Sequence, residues 1–256
     1  MIEKAKPFRV VTYNVHKCRG LDRRVRPARI ADVLRHINAD VIALQEVVSI
    51  EGKTPEENQA RFIADALGFD YRLGETRKHK GGAYGNVVLS RLPIISTATY
   101  DLSQPGREER GCLRVDLRMR GGQMLHFYNI HLGTAYLERR RQARQLLDED
   151  ILSGHGGMRI VLGDFNEWTR GLTTRMLCRH FDSVDARLHL GRSKTYPGFM
   201  PFLHLDHIYF DTHLKLKGAT LHRSRTALIA SDHLPIVADF ALKVHDSSHP
   251  TPHPTQ

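Results

Sequence analysis

The stretch Ser231-Asp232-His233-Leu234-Pro235-Ile236 decides the fold, because a polar triplet here runs straight into the apolar strand 236–242. Similar junctions recur along the chain. Asn14 closes FRVVTY, Glu46 follows DVIALQ, and His131 follows HFYNI. Asp164 and Asn166 lie within IVLGDFN, and Asp206 opens DHIYF. Carboxylates, amides and imidazoles that punctuate strand after strand converge at one end of a sheet. That pattern predicts a metal site with oxygen ligands and its own acid–base groups.

Working outward, the hydrophobic periodicity sets the frame. Residues 8–13 are rich in Val and aromatics and read as a strand. Pro27 opens a helix whose Ile30, Val33, Leu34 and Ile37 share a face. Residues 41–44 read as a short buried strand. Pro55 sits in the first turn of a second helix, which Gly68 stops. Strands are expected at 71–73, 86–90, 94–100, 113–119 and 124–130, with Gly121-Gly122 as a hairpin turn. A basic amphipathic helix spans 136–152 and a buried strand 159–162. A helix around 171–180 and strands at 206–210, 214–221 and 236–242 follow. The alternation predicts a layered α/β architecture, with one domain over 1–243. The polar, Pro-rich residues 244–256 are expected to be a disordered tail. One internal echo, TYNVHKC against FYNIHLG, puts Asn-x-His at two strand ends and hints at two similar sheet halves.

The 256 residues suffice for one large domain. The formal net charge of +10 implies an anionic partner: nucleic acid, an anionic membrane surface, or a phosphorylated small molecule. No protein partner is implied. The three cysteines are far apart and form no CxxC, which fits a reducing, cytoplasmic setting. Cys18 is expected to be a buried structural thiol. No run approaches the ~20 apolar residues of a membrane span, and residues 1–10 hold no apolar leader core.

Glu46 lies inside VIALQEVV, where an unpaired carboxylate is costly. A hard cation such as Mg²⁺, with Mn²⁺ as a substitute, is its natural partner, and Asn14 offers a neutral oxygen beside it. With no paired Cys and no HExxH, structural or thermolysin-like zinc is disfavoured. In GDFN, Gly163 allows a tight turn, and Asp164 and Asn166 share a face if the backbone stays extended. Asp206 is placed to hold His233 in one tautomer, and His131 supplies a second imidazole.

These motifs resemble the endonuclease/exonuclease/phosphatase superfamily. The match runs in order through TYNVH (12–16), LQEV (44–47), GNVVLSRLPI (85–94), NIHLG (129–133), GDFN (163–166), TYP with LDHIYF (195–210) and SDHLPI (231–236). The resemblance implies a four-layered α/β sandwich with two facing sheets and the site at one edge. It implies Asn14, Glu46 and Asp232 around Mg²⁺, Asp164 aligning the attacking water, Asn166 on phosphate, and Asp206 with His233 as a dyad. His131 resembles the deoxyribonuclease and sphingomyelinase branches. The expected activity is phosphodiester hydrolysis, with nucleic acid as the first substrate reading. Its warrant is the basic charge and the loop bearing Arg77, Lys78 and Lys80. The alternative is a phospholipid or sphingomyelin phosphodiesterase or a phosphatase, supported by the apolar loop 199–203 with Phe202. Asn86 is a further expected substrate contact. A non-catalytic phosphate binder is disfavoured by the intact acidic set.

Overall fold

Two parallel strand pairs, each joined through a helix, organise the molecule. In the computed structural model the described residues are 7–243, apart from 53, 149, 150, 155, 169, 170, 185–193 and 201. The expected tail at 244–256 lies outside them. Strand β1 (Phe8–Asn14) leads through α1 (Pro27–Ile37) to β2 (Val41–Ser49), and the two strands pair in parallel. Pro27 begins α1 and Asn38, at φ 54, ends it with a left-handed cap. After α2 (Gln59–Leu67) come β3 (Asp70–His79), β4 (Gly82–Ser90), β5 (Ile94–Asp101) and β6 (Gly111–Arg118). The second parallel pair is β7 (Met124–His131) and β8 (Met158–Asp164), joined through α3 (Tyr136–Asp148). The chain ends with α4 (Leu172–Leu177), β9 (Asp182–Ser183), β10 (Asp206–Phe210), β11 (Leu214–Leu221), α5 (Ala227–Ala230) and β12 (Ile236–Leu242).

The strands form two six-stranded sheets, in the orders β11-β12-β1-β2-β4-β3 and β5-β6-β7-β8-β10-β9. Each parallel pair is flanked by antiparallel neighbours, β12 and β4 in one sheet, β6 and β10 in the other. The Asn-x-His echo therefore marks equivalent strand ends, β1 and β7. Both faces of the inner strands are buried, so they read as continuous apolar runs. Val10, Val41, Leu162 and Ile208 join the core between the sheets. Val11, Tyr13, Ile42 and Leu44 face α1 and α2. Val161, Phe165 and Tyr209 pack with Leu146 of α3 and Leu177 of α4. The result is the expected four-layered sandwich, with each fully buried large apolar side chain contributing about 1.5–3 kcal/mol.

A buried polar bridge ties the sheets together. Asn129 of β7 donates to Leu44 O and Val87 O, and its carbonyl accepts from Gln45 Nε2 at 2.7 Å. Asn86 donates to Gly111 O and Asn129 O and is 2% exposed. Its expected contact with substrate is thereby overturned: its amide belongs to the sheet interface.

Candidate active site

All the strand-end polar residues meet at one edge, beyond the C-terminal ends of both parallel pairs. Asn14 ends β1, His131 ends β7 and Asp164 ends β8. Asp206 begins the antiparallel β10 directly opposite Asp164. Glu46 is not at a strand end, as its sequence suggests. Strand β2 runs on to Ser49, and Glu46 occupies a bulge in the pairing with β4, at φ 60. The bulge re-aims its carboxylate toward Asn14. Asp232 and His233 arrive on the turn after α5, where Ser231 Oγ donates to Asn14 O at 2.8 Å.

Asn14 is the hub. Its Nδ2 donates to Asp164 Oδ2 at 2.9 Å and to Glu46 Oε1 at 3.2 Å. Its carbonyl oxygen accepts His16 N–H at 3.0 Å. It therefore bridges the two carboxylates beside the expected cation position. Asp164 is 1% exposed and also accepts Asn166 N–H at 2.9 Å. Asn166 does not extend along the strand: it has φ 50, and its Nδ2 donates to Leu132 O. The extended backbone expected for GDFN ends at Asp164. Gly163, at φ 143, permits this approach, since a Cβ there would lie 1.9 Å from Ile130 O.

Two imidazoles flank Asp164, His131 Nε2 and His233 Nε2, each 3.7 Å from its Oδ2. Their environments push them apart. Burial, reinforced by the Arg110 charge, drives His131 down to about 3, so it is neutral. Burial also opposes the charged form of His233, but Asp206 and Asp164 outweigh it and raise His233 to about 10. His233 Nδ1 is 2.9 Å from Asp206 Oδ2, and Tyr196 lies against its ring, 5.0 Å between centroids. Burial pushes Asp164 up to about 7. One neutral and one charged imidazole beside a high-pKa carboxyl make a division into acid and base roles.

A second group sits beside them. His16 Nδ1 lies 3.6 Å from both Glu46 Oε2 and Asp232 Oδ2, and Lys17 Nζ is 3.5 Å from Glu46 Oε2. Although burial opposes ionisation of Glu46, His16 and other neighbours hold its carboxyl below the usual range. The converging Glu46 and Asp232 carboxylates, with water, suit a hard divalent cation. Asp164, Asp206 and His233 offer a further donor group, with ligand atoms within 4.8 Å of one another. His16, Lys17 and Tyr196 carry no role in the sequence reading. The Asn-x-His echo was the available signal for His16, since it pairs that residue with His131.

Of the other expected contacts, Phe202 is exposed on the segment leading to Asp206. Arg77 and Lys78 lie in strand β3, not in a loop, and Lys80 lies in the tight turn to β4. Arg77 is paired with Glu108 at 3.0 Å and stacked over Tyr84, while Lys78 is paired with Glu75.

A two-sheet α/β sandwich with a buried carboxylate–imidazole cluster at one edge defines a metal-dependent phosphoric ester hydrolase. The chain belongs to the Endonuclease/Exonuclease/phosphatase family, whose model matches residues 11–233. It is 30% identical over 246 residues to the uncharacterized protein YbhP of Escherichia coli K12, covering 92% of this chain and 96% of that protein. The fold is similar to the human Nocturnin catalytic domain with bound sulfate, with TM-score 0.71 and 20% identity, covering 93% and 94% of the two chains. It is also similar to the Bacteroides thetaiotaomicron mannosyl-6-phosphatase Bt3783, with TM-score 0.74 and 17% identity, covering 92% and 100%.

Proposed function

We propose that the protein is a Mg²⁺-dependent phosphodiesterase, with Mn²⁺ as a substitute, in which water aligned by Asp164 attacks the phosphorus while the opposite P–O ester bond breaks, its oxygen leaving as an alcohol that takes its proton from solvent. The observation that carries this reading is the buried run from Asp206 through His233, Asp164 and Asn14 to Glu46, each linked to the next by hydrogen bond or close ionic contact. Glu46 and Asp232 hold the cation, which when bound supplies Lewis-acid polarisation of a phosphate oxygen. Asp164 takes the proton of the attacking water, and its raised pKa suits that task near neutral pH. Charged His233, oriented by Asp206, stabilises negative charge developing on phosphate. Neutral His131 and the amide of Asn166 orient the same group.

For the substrate, the nucleic-acid reading rests on the +10 charge and on Arg77, Lys78 and Lys80. Phosphate would have to compete with Glu108 for Arg77 and with Glu75 for Lys78. The phospholipid reading is favoured by the exposed Phe199, Met200 and Phe202 beside the site. The reading sites the enzyme in the cytoplasm, on the strength of three cysteines, Cys18, Cys112 and the exposed Cys178, that form no disulfide among the described residues. The test is a metal-dependent activity panel of plasmid DNA, single strands, sphingomyelin, phospholipids and phosphomonoesters, each with and without chelator. Hydrolysis that a chelator abolishes is expected. Hydrolysis of every active substrate untouched by chelator would sink the metal assignment.

A further inference from the structure

We propose that the rim of the active site is a docking surface for an anionic lipid bilayer. The proposal deepens the phosphodiesterase reading, on which it rests for what is cut, but the docking itself can be measured without turnover. Ten large apolar side chains are exposed among the described residues, and all except Ile95 lie on segments that adjoin site residues. Leu21 follows His16, Leu137 follows His131, and Trp168 follows Asp164 and Asn166. Phe199 and Met200 precede Asp206, and Ile229 precedes Asp232. Because the site residues at their roots touch one another, these segments crowd one edge of the molecule. Two are joined directly, with Leu21 N–H donating to Ile229 O. Single exposed apolar residues are ordinary, but a set carried on segments that all lead from one site marks an interaction surface.

The charge on the same segments selects the partner. Arg23, Arg24, Arg141, Arg144, Arg223 and Arg225 are exposed there. Among the described residues of these segments the exposed acid is Asp22, held by Arg29 at 2.5 Å, while Glu108 and Glu109 are exposed on the adjacent turn, where Glu108 is paired with Arg77 and Arg110. Glu138 and Glu167, the other acids on these segments, are buried. Apolar side chains ringed by cations match the headgroup boundary of an anionic leaflet. Nucleic acid fits less well. Tyr136, Trp168, Phe199 and Phe202 offer faces on which bases stack, but Leu21, Val25, Leu137, Met200 and Ile229 offer none and gain only by leaving water. No helix among the described residues is long and apolar enough to cross a membrane, so the contact lies on the surface.

The chain carries its own probe. Trp168 is its single tryptophan and is 53% exposed on this rim. The full chain, kept in EDTA, is titrated with vesicles of phosphatidylglycerol mixed with phosphatidylcholine, with vesicles of phosphatidylcholine alone, and with duplex DNA. The expected result is a blue shift of Trp168 emission and co-sedimentation with the anionic vesicles, both weakening as salt rises. Phe199→Ser with Leu137→Ser should lower that partition by about tenfold or more at unchanged melting temperature. The salt series on the unaltered chain stands if the variant fails to fold. No shift with anionic vesicles, or an equal shift on both kinds, would overturn the proposal. So would binding to DNA under conditions where vesicles bind none. Because no turnover is read, loss of docking leaves the hydrolytic reading standing, and an inactive panel leaves docking standing.

Discussion

At the scale of single residues, the site works by making like groups unlike. His233 owes its charge to Asp206 and Asp164 against the pull of burial, so Asp206→Asn should lower its pKa from about 10, read by the titration of its ring resonances in NMR. The sign of the linked stability follows. A histidine raised above its unfolded value of 6.5 adds stability fully present below that value, and loses it as pH climbs through about 10. Asp206→Asn should remove that alkaline step from a plot of melting temperature against pH. The dyad also predicts non-additivity: Asp206→Asn and His233→Ala should each cost orders of magnitude in kcat, and the double change little more. Asp164→Asn should cut kcat by about 10²–10⁴ while largely sparing KM, because aligning and deprotonating water matters in the transition state. A kcat within a few-fold of the parent would remove Asp164 from the mechanism. Glu46→Gln should weaken Mg²⁺ binding by at least about tenfold in calorimetry, together with activity.

At the scale of elements, regular strands and helices were legible and the departures from regularity were not. Strands β10, β11 and β12 and helix α1 match their expected bounds, because period-two runs and a Pro start are local signals. Strand β2 was read as ending at Leu44, since a carboxylate and an amide look like a terminus; the bulge at Glu46 carries it onward. The run His16, Lys17, Cys18 takes φ of 45, 59 and 54, and nothing local announces it, as left-handed backbone favours Gly and Asn. Tertiary contacts impose it: Cys18 is buried in the core, and Gln59 Nε2 donates to Lys17 O. Site residues at strand ends were therefore readable, while the folded-back His16 and Lys17 were not. Lys17→Gly should relieve the left-handed strain and raise stability by about 1 kcal/mol in denaturant unfolding. Gly163→Ala should do the reverse, by on the order of 3 kcal/mol, because its Cβ would meet Ile130 O.

At the scale of the whole molecule, the site exists only where the two sheets are held in register. Asn14, Glu46, Asp232 and His233 belong to the first sheet and its loops, and His131, Asp164 and Asp206 to the second. The bridge of Gln45, Asn86 and Asn129 spans that seam. Asn86→Ala should cost about 1–3 kcal/mol of unfolding free energy, the penalty for leaving buried carbonyls unmet. A residue gripping substrate would instead raise KM at unchanged stability, so the two measurements separate the roles. The polar partners of Asn86 come from β6 and β7, remote in sequence, which is why its amide was not readable as architecture. The place of β12 carries a last consequence. It lies between β11 and β1, with Phe240 opposite Phe8. Of the described strands β1 is synthesised first, and it waits with an open edge for the last of them, β12. A ribosome that stalls before Ile236 releases a chain with an unpaired central strand, no Asp232–His233 turn once it stops short of residue 232, and a template for aggregation. Folding of this sheet is then expected to be completed only once β12 has left the ribosome, slowly, as pairings so distant along the chain dictate.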